Sequence, residues 1–300
     1  MDLPNSFIQT VTGVHGPKGR QWLQTLDGLI RYCELKWDCT VQEPYELSYH
    51  FVVPAAGRDG TETVLKLGVP SNEQQTEIAA LRLYNGSGAV RLLDAEPERG
   101  ILALERLLPG QTLKSVTDDE EAAMIAASVM KRLRVTAPAA AGFPTTAAWA
   151  EGLAQIRGRF NGGTGPMPEK MVEAAEQLYR QLVAGARPVQ LLHGDLHHGN
   201  ILYDGSRGWL AIDPKGVIGE AEYQVIPFLM NHLPDEGRTA IMERRIAIFV
   251  EQLQLDRGRV LAWAYCHAIL SAWWHVESQT DGMEASLRTA EQFAAMLKAL

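Results

Sequence analysis

The sequence predicts an α+β chain of two lobes, a β-rich N-lobe with one inserted helix followed by a mainly helical C-lobe. Two observations predict it. Apolar runs of strand length crowd residues 38–107 and are interrupted by one stretch of helical period at 72–84. Beyond Pro109-Gly110 the period is helical almost throughout, with one β-like interruption at 189–213. The expected division is 1–107 for the N-lobe and 108–300 for the C-lobe.

The elements follow in order. Residues 17–35 carry Trp22, Leu23, Leu26, Leu29 and Ile30 at helical spacing. Residues 38–43 and 47–53 read as strands. Gly57-Arg58-Asp59-Gly60 is a hairpin turn into the strand Thr63-Val64-Leu65-Lys66-Leu67. Helical period returns at 72–84, and strands are expected at 89–95 and 101–107. Thr117-Asp118-Asp119-Glu120 opens a helix over 117–135 with acids in its first turn, where the helix dipole favours them. Further helices are expected at 145–160, 168–184, 222–232, 236–253, 257–278 and 283–299.

Composition narrows the function classes. A hydrophobic fraction of 46% is ample for packed cores, and a formal net charge of −8 disfavours nucleic acid and anionic membranes as partners. The three cysteines form no paired motif, no signal-peptide pattern opens the chain, and no apolar run is long enough to span a bilayer. The expectation is a cytoplasmic protein.

The chemistry is concentrated in His193-Gly194-Asp195-Leu196-His197-His198-Gly199-Asn200, flanked by apolar runs. Asp213 ends the strand Trp209-Leu210-Ala211-Ile212, 18 residues after Asp195. A hairpin turning at Asp204-Gly205-Ser206-Arg207-Gly208 would return Asp213 to the side of Asn200. An acid can take a proton from a hydroxyl, while a second carboxylate and an amide oxygen are the hard donors that Mg²⁺ prefers beside phosphate. Lys66 sits between apolar neighbours, where an ammonium is costly unless it meets an anion. An ATP phosphate is such an anion. Glu77 on the following helix is the expected partner of the amine, with Glu73 one turn earlier as its rival.

Other signals carry less. His193, Asp195, His197 and His198 suggest zinc, but the eight histidines supply no second cluster. Asn161-Gly162-Gly163-Thr164-Gly165-Pro166 lacks the ending of a phosphate loop and reads as a connection. Trp263, His267, Leu270, Trp273 and Trp274 recur at helical spacing, which suits a core stripe better than a ligand platform.

Together these motifs resemble those of the aminoglycoside phosphotransferases, small-molecule relatives of the protein kinases. More narrowly, Ala211-Ile212-Asp213-Pro214-Lys215-Gly216, Leu104-Glu105-Arg106-Leu107 with Pro109-Gly110, and Phe143-Pro144 resemble the aminoglycoside/hydroxyurea resistance kinase group. The resemblance implies a protein-kinase-like fold with ATP and Mg²⁺ in the cleft between the lobes. Asp195 would act on the acceptor hydroxyl, and Asn200 and Asp213 would hold Mg²⁺. Lys66, held by Glu77, would grip the α- and β-phosphates. Glu105 to Leu107 would be the hinge whose backbone reaches adenine, and His193 a scaffold.

The sequence departs from that pattern twice. Gln224 follows Tyr223 where an Asp is usual, which puts local geometry in question. No glycine-rich loop joins the first two strands, leaving Ser48 and backbone amides to meet phosphate. The implied acceptor is a small, hydroxylated, cationic molecule, an aminocyclitol such as streptomycin. Glu220, Glu222, Asp235, Glu277 and Asp281, with Trp274 and His275, are the candidates to line its site. The alternatives are a kinase of a sugar, amino alcohol or thiosugar, and a catalytically silent nucleotide-binding regulator.

Overall fold

A computed structural model describes residues 2–137, 142–149, 151–185 and 187–300. By its internal contacts the chain separates into two units, Met1–Gln111 with Tyr203–Leu210, and Thr112–Leu202 with Ala211–Leu300.

The first unit opens with α1 (Asn5–Lys36), which is two helices meeting at Gly16, where φ is 55° and ψ −129°. Pro17 begins the second of them, as its fixed φ and missing N–H allow in a first turn. The helix expected from residue 17 is that second segment. A five-stranded sheet follows, built from β1 (Cys39–Val41), β2 (Phe51–Gly57), β3 (Glu62–Leu67), β4 (Leu92–Glu96) and β5 (Ile101–Glu105), in the order β1-β2-β3-β5-β4. Its ladders are antiparallel. The single helix α2 (Asn72–Tyr84) is inserted after β3 and starts on Ser71, whose hydroxyl accepts the Gln74 N–H.

The strand expected at 47–53 is displaced to 51–57. Pro44 has no N–H to give to a ladder, so pairing on that side shrinks to single bonds from Gln42 and Tyr45 to Pro54 and Val52. Phe51, Val53, Leu65, Leu67, Ile101 and Ala103 face α1 and make the core with Trp22, Leu26, Ile30 and Cys33. Strand alternation then sends Lys66, between Leu65 and Leu67, to the opposite face.

A second sheet has the order β10-β9-β6, from β6 (Pro109–Thr112), β9 (Ile201–Asp204) and β10 (Gly208–Ala211). Arg207, at the tip of the β9–β10 hairpin, bonds the Glu105 carboxylate and the carbonyls of Gly86 and Ala89. The Asp204 carboxylate and the Gly205 N–H bond the two sides of the Leu108 backbone at 3.3 and 2.7 Å.

The second unit is helical around a small sheet. α3 (Asp119–Arg132) is capped by Asp118, which accepts the Glu120 and Glu121 N–H groups. β7 (Val135–Thr136), α4 (Thr146–Trp149), α5 (Glu151–Arg159), α6 (Glu169–Ala184) and β8 (Val189–Leu192) come next. Ala150, within the helix expected at 145–160, lies outside the described residues. β11 (Val217–Glu220) completes a sheet of order β11-β8-β7. A 3₁₀ turn at Ala221–Val225 leads into α7 (Ile226–Met230), where one helix was expected over 222–232. The chain ends in α8 (Arg238–Leu253), α9 (Arg257–Ser278) and α10 (Met283–Lys298). Among the described residues no helix is long and apolar enough to cross a membrane.

Arg245 on α8 ties this unit together with no solvent exposure at all. Its guanidinium donates twice to Asp119 through Nε at 3.0 and 3.1 Å, and reaches the carbonyls of Phe228, Asn231 and His232 at 2.8, 2.8 and 3.0 Å. Removing a buried charge from such a set strands its partners. Arg245→Met is expected to lower the unfolding free energy in urea by about 3 kcal/mol. A loss below about 1 kcal/mol would show the clamp to be dispensable.

Candidate active site

The site is built outward from His193, which directly follows β8 and is 0% exposed. Its ring donates through Nε2 to the Ile212 carbonyl at 2.8 Å and accepts the Asp195 N–H at Nδ1, 3.2 Å away. One donor and one acceptor nitrogen define the neutral imidazole with its proton on Nε2. Burial pushes this ring down to about 4, against the raising effects of the Ile212 carbonyl and the Asp213 carboxylate.

The backbone of His193 is used as fully as its ring. Its carbonyl accepts from Lys215 and Gly216 at 2.8 and 3.2 Å, and its N–H donates to the Gln224 side chain at 3.0 Å. Gln224 thus offers a neutral carbonyl oxygen where the related pattern has a carboxylate, and the loop is held all the same.

Between these anchors the turn needs glycine. Gly194 has φ +84°, and a Cβ there would lie 2.8 Å from Val217 Cγ2 and 3.3 Å from Lys215 Cβ. The Asn200 amide donates to the Asp195 carbonyl at 2.8 Å, and the Asn200 carbonyl accepts the Ile212 N–H at 2.9 Å. The hairpin therefore brings Asp213 back beside Asn200. Asp213 itself sits in the left-handed region at φ +56°, an unfavourable place for a residue with a side chain.

Two basic side chains flank the Asp195 carboxylate. Lys215 Nζ is 3.7 Å from Oδ2, and His197 Nε2 is 4.0 Å from Oδ1. His197 Nδ1 accepts the Gly199 N–H at 3.0 Å, which leaves its proton on Nε2, facing the acid. Burial holds His197 below its ordinary value, opposed by Asp195 and reinforced by Lys114 and Lys215. His198 is different again. It is stacked on Phe228 at 3.9 Å, and burial, Arg245 and its neighbouring histidines push it down to about 3. Among the described residues no three His, Cys, Asp or Glu side chains form a group suited to a metal ion, so the zinc alternative has no geometry behind it.

In the first unit, Lys66 and Glu77 are 4% and 5% exposed, with Nζ at 2.7 and 2.9 Å from the two carboxylate oxygens. Glu73 is exposed on the outer face of α2, so Glu77 is the partner of the amine. The Glu105 carboxylate is occupied by the Arg91 N–H at 2.8 Å and by Arg207, leaving the hinge expectation to its backbone. Leu107 is buried, and Ser48 is exposed in the stretch before β2.

The expectations for the acceptor side divide. Glu220 and Glu222 are corrected, because both are buried and engaged inside the unit. Glu220 accepts from Arg259 at 2.6 to 2.9 Å, from Trp263 Nε1 at 3.2 Å and from the Arg187 N–H at 3.2 Å. Glu222 accepts from Arg187 at 3.1 Å. Glu277 and Asp235 are exposed, and Trp274 keeps 37% of its surface. Asp281 lines a recess of about 750 Å³ with His275, Thr280 and Arg288, beyond the end of α9. Lys215 and Trp149 were not singled out from sequence, and His197 was read there only as part of a discounted zinc cluster. Lys215 lay inside a quoted motif, and its charge two residues after Asp213 was the signal available.

The buried neutral histidines carry a pH consequence. A ring whose folded value lies near 4 or 3, against about 6.5 unfolded, resists a proton that the unfolded chain accepts. Stability is therefore full above about pH 6.5 and falls as pH drops toward 4, by about 1.4 kcal/mol per pH unit for each ring. Urea midpoints measured from pH 7.5 to 5 should fall steeply, and a flat profile would contradict the buried neutral state.

Comparison with known proteins identifies the family of the chain. The sequence pattern of the aminoglycoside/hydroxyurea antibiotic resistance kinases matches residues 41–279. The chain is 30% identical to a streptomycin 6-kinase of Streptomyces glaucescens, over 97% of this chain and 96% of that one. It is 32% identical to the streptomycin 6-kinase of Streptomyces griseus, over 94% and 92%. A hydroxyurea phosphotransferase of Kitasatospora aureofaciens is 30% identical over 92% and 81%. Among solved structures, a choline kinase of Streptococcus pneumoniae superposes with a TM-score of 0.67 at 14% identity, over 91% of this chain and 99% of that one. An aminoglycoside phosphotransferase mutant in complex with ADP and hygromycin B superposes with a TM-score of 0.66 at 15% identity, over 90% and 98%. These two share the protein-kinase-like fold. With the His193-Gly194-Asp195, Asn200 and Asp213 frame in place, the chain belongs to the aminoglycoside/hydroxyurea antibiotic resistance kinase family.

Proposed function

We propose that this chain is a small-molecule kinase that moves the γ-phosphoryl group of ATP to a hydroxyl of a cationic aminocyclitol of the streptomycin type. The observation that carries the reading is the frame around His193. It gathers one carboxylate beside a lysine and a second carboxylate beside an amide on one short hairpin. Family membership and the streptomycin 6-kinase relatives support the choice of acceptor.

In this reading Asp195 orients the acceptor hydroxyl and takes its proton as the oxygen bonds to the γ-phosphorus and ADP leaves. Lys215 brings positive charge to the same place. Asn200 and Asp213 offer an amide oxygen and a carboxylate, a donor set that fits Mg²⁺. The metal, when bound, would neutralise charge on the ATP phosphates. The Asn200 N–H bond to the Asp195 carbonyl fixes which end of the amide is left to face a metal. Lys66, paired with Glu77, grips the α- and β-phosphates. Positioning and charge are the main tasks in phosphoryl transfer, and each of these groups serves one of them.

The hydroxyurea phosphotransferase relative favours a second acceptor, a small neutral molecule bearing an N-hydroxyl. Mass spectrometry of streptomycin and hydroxyurea after incubation with ATP and Mg²⁺ separates the two, since the true acceptor gains one phosphoryl group. A panel in which neither gains it would overturn both.

Asp195→Asn is expected to lower kcat about 10³-fold while ATP affinity stays within a few-fold. Retained turnover would remove Asp195 from the reaction. Lys66→Met is expected to act on the nucleotide instead, raising the KM for ATP and lowering kcat together. Its unfolding free energy should be measured alongside, because Glu77 is then left buried without its cation.

A further inference from the structure

The helical unit carries a cluster of aromatic rings that no step above uses. Trp149, the last residue of α4, meets Tyr223 edge to face at 5.6 Å and Trp274 at 6.0 Å, the two indole planes at 90°. Trp274 meets His267 at 5.6 Å, and His267 Nδ1 pairs with the Tyr223 hydroxyl. The base of the cluster is core, with Tyr223 at 1% exposure. The two indoles are not, since Trp149 is half-buried and Trp274 is 37% exposed.

The position of this corner is fixed by backbone packing. A Cβ at Gly219 would lie 2.5 Å from Thr146 Cγ2, so only glycine lets α4 lie directly on β11 and present Trp149. His267 and Trp274 are two turns apart on one face of α9, and the exposed Glu277 follows on that face. The corner is also close to the transfer chemistry. The Lys215 charge acts on the His267 ring, and the same ammonium is 3.7 Å from the Asp195 carboxylate.

We propose that Trp149 and Trp274 form a subsite for a positively charged group of the acceptor, a guanidinium or ammonium on the hydroxylated ring that Asp195 addresses. The inference rests on the kinase reading above and adds where the acceptor's charge is received. Indole faces attract cations more strongly than other aromatic rings do, and a planar guanidinium stacks on one face while the second indole closes its side. Glu277 supplies the opposite charge. A neutral polyol gains none of this.

The test uses the full chain and two probes that differ in charge. Streptidine is a cyclitol bearing two guanidinium groups, and scyllo-inositol is a ring of the same size with none. Binding is read from the indole N–H resonances and from the dissociation constant, without phosphoryl transfer. Streptidine should shift two indole signals, those missing from Trp149→Leu and Trp274→Leu. It should bind each variant about tenfold more weakly, or about 1.4 kcal/mol. Trp274→Phe should recover most of that loss, and scyllo-inositol should bind the unaltered protein at least tenfold more weakly than streptidine. Three results would each overturn the subsite: no streptidine binding, equal affinity for the two probes, or unchanged streptidine affinity in both leucine variants. ATP consumption with another hydroxylated acceptor would preserve the kinase reading where the subsite fails. Tryptophan-dependent streptidine binding without turnover would do the reverse.

Discussion

The rest of the site depends on one imidazole kept neutral by burial. Each polar atom of His193 is assigned: Nε2–H to Ile212, Nδ1 to Asp195, the carbonyl to Lys215 and Gly216, the N–H to Gln224. Those partners belong to the loop after β8, to the segment between β10 and β11 and to the turn before α7. A protonated ring would have no acceptor for its second N–H and would face the Asp195 amide with a donor. Desolvation, the largest influence on this ring, works in the required direction.

The frame holds one acid in strained backbone and the other beside a cation. Asp213 occupies left-handed backbone, and Asp195 lies between Lys215 and His197. Lys66 with Glu77 repeats the pattern in the sheet unit, where two charges are almost fully buried and held to each other. A buried ion pair contributes little net stability compared with apolar residues of the same shape.

Much of the fold was legible because its signals are local. The helix α2 and the long helix α9 have the periods read from sequence, and Lys66 was conspicuous because its neighbours are Leu65 and Leu67. The octapeptide showed its chemistry through an acid and an amide five residues apart, bonded here through the Asp195 carbonyl. What stayed hidden was non-local. Glu220 looked like a surface acid because Arg259 and Trp263, which occupy it, are about 40 residues away in the chain. Trp149 looked ordinary until α4 was laid on β11, and Trp274 read as one more member of a core stripe. The loss of strand before Phe51 turned on Pro44, a breaker whose effect depends on which side of the strand needs the N–H.

The state of the His193 ring tests this account most directly. Nitrogen NMR of histidine-labelled protein, with the signal assigned through a His193→Gln variant, reports which ring atom carries hydrogen and whether it titrates. The account predicts a neutral ring with its proton on Nε2 that is unchanged from pH 8 to pH 5. A ring that titrates near its ordinary value of about 6.5, or that carries its proton on Nδ1, would contradict it.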